Sequence, residues 1–133
     1  MYYTENMTGP ECVSTIYECG APVGVRILVK NPTLGMILSR IEDISVQFNK
    51  TVYTADQLTF VLRGIHYTFE DMKTNAVVRW EFAEQAELLV PRPVGLGALG
   101  INKIQVKIGF RFGFENIQWR IKDFMVESIG ESV

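Results

Sequence analysis

The sequence predicts an all-β fold, an antiparallel β-sandwich of jelly-roll type with one or two short helical turns. Three observations carry that expectation. In "INKIQVKIGFRFGFENIQWRI", Ile104, Val106, Ile108, Phe110, Phe112 and Phe114 alternate with Gln105, Lys107, Gly109, Arg111 and Gly113. A period of two marks a strand with one buried face. Strand-like runs recur upstream, separated by turn signals such as Asn31-Pro32 and Asn49-Lys50, a spacing that suits a sandwich. The helical stretches on offer are too short for the crossover of a dozen or more residues that a parallel sheet requires.

Taken in order, "VSTIYE" is a strand between Cys12 and Cys19, followed by "VGVRILV", by "DISVQF" with Ile44, Val46 and Phe48 alternating, and by "TVY". "TADQL" from Thr54 and "TFEDMKTN" are short helical turns; in the second, Thr68 and Asp71 have capping-box spacing. "LTFVL", "VVRWEF" and "AELLV" supply further strands. Pro91 to Asn102 reads as a long mobile connection before a C-terminal hairpin whose two-residue turn is Glu115-Asn116. Beyond it, Ile117, Trp119 and Ile121 alternate with Gln118, Arg120 and Lys122 as the hairpin's second strand, and the phase slips after Lys122, where Phe124 and Val126 change parity. A bulge or strand end is expected there.

At 133 residues the chain reads as one domain, residues 1–133, with 1–11 and 128–133 as flexible or partner-contacting ends. A fold of this size buries roughly two thirds of its unfolded surface and holds a core without staples. The net charge of -2 and scattered Lys and Arg residues provide no basic field for nucleic acid. No run approaches the ~20 apolar residues that cross a bilayer as a helix, and the N-terminus lacks a leader pattern. These features read as a soluble cytoplasmic protein.

Candidate chemistry is sparse. The chain has two cysteines and one histidine, His66. Cys12 and Cys19, seven apart across a strand, point to opposite faces, which disfavours a disulfide. With His66 they do not assemble the usual zinc sets. Without a nearby Ser or Cys nucleophile signature, His66 reads as structural or solvent-facing. Glu42 and Asp43 are strand neighbours on opposite faces unless the backbone turns there. Glu81 and Glu87 share a face but lie about 20 Å apart along a strand, beyond glycosidase spacing. "PVGLGALG" follows a strand but opens no phosphate-binding helix.

The ordered segments "GMILSRIEDISVQFN", "LTFVLRGIHYTFEDM", "RWEFAEQAELLVPRPVGL" and "NKIQVKIGFRFGF" resemble the small, or beta, subunit of bacterial C-glycoside deglycosidases. The resemblance spans roughly Gly24 to Phe114. Leu38-Ser39 with Ile41-Glu42-Asp43, and Arg79-Trp80-Glu81 with Pro93 and Gly95-Leu96, carry most of its specificity. The chain departs from the family pattern in "NPTLGMILS", where Pro32, Thr33 and Leu34 replace an aromatic- and arginine-containing turn.

The resemblance implies a β-sandwich that works with a larger (β/α)8-barrel alpha subunit, in higher heteromers. The barrel would carry a divalent metal, manganese or magnesium, and the catalytic base, while this chain holds no cofactor and no catalytic residue. The implied substrate is a flavonoid-type 3-oxo-C-glycoside bound at a shared site and cleaved between carbon and carbon. Ser39, Glu42, Arg79, Trp80, Glu81, Pro91, Pro93, Gly95 and Leu96 are the candidates for partner contact or proximity to substrate. Trp80 suits an interface anchor or a ring-stacking role, with core packing as the alternative. Two other classes fit the strands and aromatics: a stand-alone carbohydrate-binding sandwich and a structural or oligomerisation module.

Overall fold

The computed structural model describes residues 6–91, 101–113 and 116–127. A five-stranded antiparallel sheet has the order β1 (Val13–Glu18), β2 (Ala21–Lys30), β9 (Gln85–Pro91), β6 (Thr59–Leu62), β7 (Ile65–Tyr67). A four-stranded sheet has the order β11 (Asn116–Glu127), β10 (Ile101–Phe112), β4 (Ile41–Phe48), β5 (Thr51–Tyr53). A two-stranded ribbon joins β3 (Met36–Ile37) to β8 (Arg79–Trp80). The chain crosses between the two large sheets after β2, β5 and β9. The fold is all-β and sandwich-like, as the alternating patterns require. No helix among the described residues is long and apolar enough to cross a membrane.

Local chemistry sets the corners. Cys19 and Gly20 both have positive φ, 52° and 82°, and close the two-residue hairpin between β1 and β2. Arg63 and Gly64, at 53° and 81°, do the same between β6 and β7. Two positive φ values define the primed turn whose twist matches the flanking strands. Both expected helical turns form. Thr54 caps a 3-10 turn at Ala55–Gln57, and Thr68 caps α1 (Phe69–Lys73), its Oγ1 accepting from the Asp71 N–H while Asp71 accepts from the Thr68 N–H.

The core lies between the sheets. Ile27 and Val29 of β2, Leu88 and Val90 of β9, and Phe60 and Leu62 of β6 join Ile44, Val46 and Phe48 of β4 and Ile104, Val106, Ile108 and Phe110 of β10 in one buried cluster. Each such side chain contributes roughly 1.5–3 kcal/mol on leaving water. The period-two pattern of β10 is therefore realised through Phe110, with Phe112 only half-buried at the sheet's end.

Several boundaries differ from the expectations. Phe112 pairs directly with Asn116, and Gly113, at φ 77°, already turns the chain. The connection therefore starts at the residue that relieves left-handed strain, not at Glu115-Asn116. The register of β10 with β11 runs without a shift from Ile101↔Glu127 to Phe112↔Asn116, so no bulge follows Lys122. The change of parity instead marks an exchange of faces. Phe124 and Val126 pack on the core, whereas Trp119 and Ile121 face outward, because pairing places Ile104 beside Phe124 and Lys107 beside Ile121. Pro91 ends β9, and Ile101 and Asn102 belong to β10, which shortens the expected connection from both sides. Met7 and Thr8 are buried, and the Lys30 N–H donates to the Met7 carbonyl, so this part of the expected N-terminal tail is anchored. Of "VVRWEF", only Arg79 and Trp80 form a strand.

Gly109 has an intramolecular reason for lacking a side chain. Trp119 lies over it: a Cβ at Gly109 would come 2.7 Å from the indole Cζ3. Gly109→Val is expected to dislodge the ring and cost about 1–3 kcal/mol, in the range of overpacking. Chemical denaturation checks this against Trp119→Ala and the double variant. If the ring is the obstacle, the two substitutions couple, and Gly109→Val costs less once Trp119 is gone.

Candidate functional site

The ribbon closes one flank of the sandwich. Pairing of Met36 with Trp80 and of Ile37 with Arg79 turns the first pair inward and the second outward. Trp80 is 0% exposed. Its ring meets Phe60 edge-on at 5.2 Å and stacks on Phe110 at 6.0 Å. Its indole N–H donates to the Glu84 carbonyl at 2.8 Å. Trp80 thus packs in the core, the alternative weighed for it, and offers no surface to a partner in this conformation.

The loops beside the ribbon are held by one buried side chain. Asn31 is 1% exposed, and its amide donates to the carbonyls of Trp80, at 2.8 Å, and Leu34, at 3.2 Å. Its Oδ1 accepts from the Thr33 N–H at 2.9 Å. Its backbone N–H donates to Glu84 O and its carbonyl accepts from the Ala83 N–H. One asparagine thereby ties the 31–35 loop to the 81–84 turn. Arg63, from the β6–β7 hairpin, reinforces the turn by donating to Arg79 O at 2.7 Å and pairing with Glu84 at 2.8 Å.

Outside this framework, Arg79 pairs with Glu81 at 3.2 Å and donates to Gly35 O at 3.0 Å. A Cβ at Gly35 would run into the Glu81 carboxylate, so glycine makes room for the pair. Both side chains are more than half exposed, and such pairs contribute about 0–1 kcal/mol. Their value is positional. Around them, Val77 is 86%, Leu34 69% and Phe82 45% exposed. A rim with apolar side chains in water and a charge pair among them is suited to contact with another surface. A hollow of about 430 Å³ adjoins it, lined among others by Thr8, Lys30, Asn31, Phe82 and Gln85. That is within the range of small-molecule sites.

The candidate residues do not form one cluster. Arg79, Trp80 and Glu81 are together, and Ser39 is close by, half-buried in the 3-10 turn Leu38–Arg40, with its N–H donating to Asn75 O at 3.0 Å. Glu42 is on the four-stranded sheet. The register of β4 with β10 slips between Gly109 and Phe110, which turns the backbone so that Glu42 and Asp43 are both half-buried rather than one inside and one out. Glu42 is paired with the Arg111 guanidinium, which donates to it at 2.8 Å. Pro91 is exposed at the far end of β9, about 20 Å from Gln85 at strand rise. Pro93, Gly95 and Leu96 lie outside the described residues.

Sequence reading missed Asn31, Arg63 and Glu84 as organisers, and Leu34, Val77 and Phe82 as rim. The signals were present in part: Asn before Pro, and Arg-Gly at a hairpin. His66 is exposed on β7, Cys12 is a half-buried free thiol and Cys19 an exposed one. Among the described residues, no group of three or more His, Cys, Asp or Glu side chains is placed to hold a metal ion.

Comparison with known proteins bears on this geometry. No curated protein matches the chain. A family model described as C-glycoside deglycosidase beta subunit matches residues 3–114, which includes the ribbon, its loops and both large sheets as far as the end of β10. With most of its length matched, the chain belongs to the C-glycoside deglycosidase beta subunit family, and is by that description one subunit of a deglycosidase that also has a partner alpha subunit.

Proposed function

We propose that this chain is the non-catalytic half of a lyase that splits the sugar–aglycone carbon–carbon bond of 3-oxo-C-glycosides, and that it completes a site carried by a larger (β/α)8-barrel subunit. Membership of the beta subunit family over residues 3–114 is the observation that carries this reading. The exposed rim of Leu34, Val77 and Phe82 beside a substrate-sized hollow supports it. Two free thiols suit a reducing, cytoplasmic setting.

The chemistry explains the division of labour. An O-glycosidase protonates a leaving oxygen, but a C-glycoside has no lone pair on its leaving carbon, so a carboxylate pair is insufficient. A ketone at C3 acidifies the C2 proton. A base removes that proton, the electrons pass into an enolate, and collapse forms C1=C2 as the C1–aglycone bond breaks. The aglycone carbon leaves with the bonding pair and takes up a proton. A divalent metal held by the barrel is the expected source of stabilisation for charge on the ketone oxygen. This chain's part is to position the partner and exclude water around an aromatic aglycone, for which an apolar rim is suited.

Mixing purified chain with its alpha subunit is expected to restore aglycone release from a 3-oxo-C-glucoside, followed by chromatography. The chain alone releases none. Turnover by the isolated chain, or an alpha subunit that runs at full rate without it, overturns the proposal.

A further inference from the structure

Two hollows differ in what their polar groups are doing. In the one on the outward face of the four-stranded sheet, about 340 Å³, Gln105 donates to the Asp123 carboxylate at 2.9 Å and Gln47 to the Asn49 carbonyl at 2.8 Å. Its amides are committed to groups of the chain itself. The hollow beside the rim, about 430 Å³, is built differently. There the Lys30 N–H donates to the Met7 carbonyl at 2.8 Å, which lays residues 6–12 along the end of β2, while Lys30 pairs with Gln85 on its other side. Among the described residues, the side chains of Asn6, Lys30 and Gln85 have no hydrogen-bond or ion-pair partner, and Glu11 meets only the Cys12 thiol, at 4.0 Å. Thr8 belongs to the same wall. It is 4% exposed, and its hydroxyl is likewise unpartnered among the described residues, whereas buried hydroxyls are ordinarily paired.

The lining selects the ligand. Six of the ten described lining residues, Asn6, Thr8, Glu11, Lys30, Asn31 and Gln85, carry polar side chains, the reverse of the mostly apolar wall usual for a small-molecule pocket. The ligand is therefore rich in polar groups. Those groups are uncharged, because the lining holds one cation, Lys30, and one anion, Glu11: an anion would face the carboxylate and a cation the ammonium. Charges on the adjoining segments are matched within the chain, Glu84 by Arg63, Glu81 by Arg79 and Glu87 by Arg26, so they do not tip this balance. An ammonium only donates, a carboxylate only accepts and an amide does both. Hydroxyl groups, each of which donates and accepts, suit all three. Phe82, 45% exposed, adds a single aromatic face. The negative face of a phenyl ring attracts the C–H hydrogens on one side of a sugar ring, whereas a flat polyphenol needs an apolar wall on both of its faces.

We propose that this hollow is a glycosyl subsite, which takes the neutral, hydroxyl-bearing sugar ring of a glycoside over Phe82 and holds its hydroxyls with Lys30, Gln85, Glu11 and Thr8. For the source of the ring, the proposal rests on the reading of the chain as half of a glycoside-cleaving enzyme. The adjoining apolar rim is left for the aglycone.

Titrating an aryl C-glucoside, glucose and the free phenolic aglycone into the isolated chain, followed by amide chemical shifts, tests this. The glucoside and glucose are expected to bind with millimolar Kd and to move the amides of Thr8, Lys30 and Gln85, which the aglycone leaves in place. Gln85→Ala and Phe82→Ala change exposed positions and are expected to keep the strand circular dichroism. Each should raise the Kd for the glucoside about tenfold, the effect of one lost hydrogen bond or ring contact. Gln105→Ala, in the other hollow, is the control and should leave that Kd unchanged. Thr8→Val separates a ligand contact from a structural one: it removes a buried hydroxyl with no partner among the described residues, so Tm should not fall while the Kd rises. Amides that neither sugar moves, aglycone binding there as tightly as the glucoside, or a Kd that Thr8→Val, Gln85→Ala and Phe82→Ala all leave unchanged overturns the proposal. Each of those results leaves the proposed function standing wherever the chain still restores cleavage by its alpha subunit. Sugar binding in the hollow without restored cleavage removes the proposed function and keeps the subsite.

Discussion

Trp80→Ala is expected to lower the folding stability of the isolated chain by about 3–5 kcal/mol, the range for emptying a buried aromatic site. The indole has no exposed surface and contributes two ring contacts, with Phe60 on one sheet and Phe110 on the other. Alanine removes both and also the donor to Glu84 O. That carbonyl still accepts from the Asn31 N–H, so the loss is mainly packing. Against a total of about 5–15 kcal/mol for a domain, the change is large. Urea unfolding should show a lower midpoint at unchanged slope. Where the variant remains folded, its affinity for the alpha subunit should fall less than tenfold. A loss below about 1 kcal/mol together with collapsed assembly would place Trp80 at the interface after all.

Trp80 also illustrates what one sequence reveals of a site. An aromatic between Arg79 and Glu81 reads equally well as an anchor or as core, since alternation gives opposite faces but not which face is inside. The tertiary partners decide. Phe110, thirty residues downstream, and Phe60 on another strand make the inward side the apolar one. The same ambiguity misled the reading of β11, where apolar residues occupy one parity up to Ile121 and the other from Phe124. Only pairing with β10 shows that the strand is regular and that the change is one of face.

Two local signals held. The capping-box spacing of Thr68 and Asp71 produced the cap, because both hydrogen bonds close within four residues. The alternation of β10 from Ile104 to Phe110 located a central strand, because a strand flanked on both sides by others is committed to one buried face. The organisers of the rim act at long range. Asn31 reaches Trp80 across 49 positions and Arg63 reaches Arg79 across 16, and neither link leaves a periodic trace. The Glu42–Arg111 pair, 69 positions apart, was hidden for the same reason. Its outward setting needed a register slip that composition does not announce.

Asn31→Asp is the sharpest test of the rim's construction, because it changes one group and almost no volume. The native amide donates to two carbonyls, Trp80 O and Leu34 O, from a side chain that is 1% exposed. A carboxylate there has no proton to give. It keeps the acceptor for the Thr33 N–H but sets negative charge against two carbonyl oxygens away from water. The expected cost is about 3 kcal/mol or more at neutral pH, in the range for an uncompensated buried charge. Burial raises the folded-state pKa of the introduced carboxyl above its unfolded value. The penalty is therefore full above the raised pKa and shrinks as pH falls through it, when one carbonyl regains a donor. Asn31→Ala, which leaves polar groups unpaired without adding charge, should cost about 1–3 kcal/mol for each group stranded and show no such pH dependence. Hydrogen exchange should localise the damage of both variants to residues 31–35 and 80–84. If those amides stay protected while stability falls, Asn31 serves the core and not the rim. If they open, alpha-dependent cleavage should fall with them, because the loops that carry Leu34 and Phe82 would no longer be held beside the hollow.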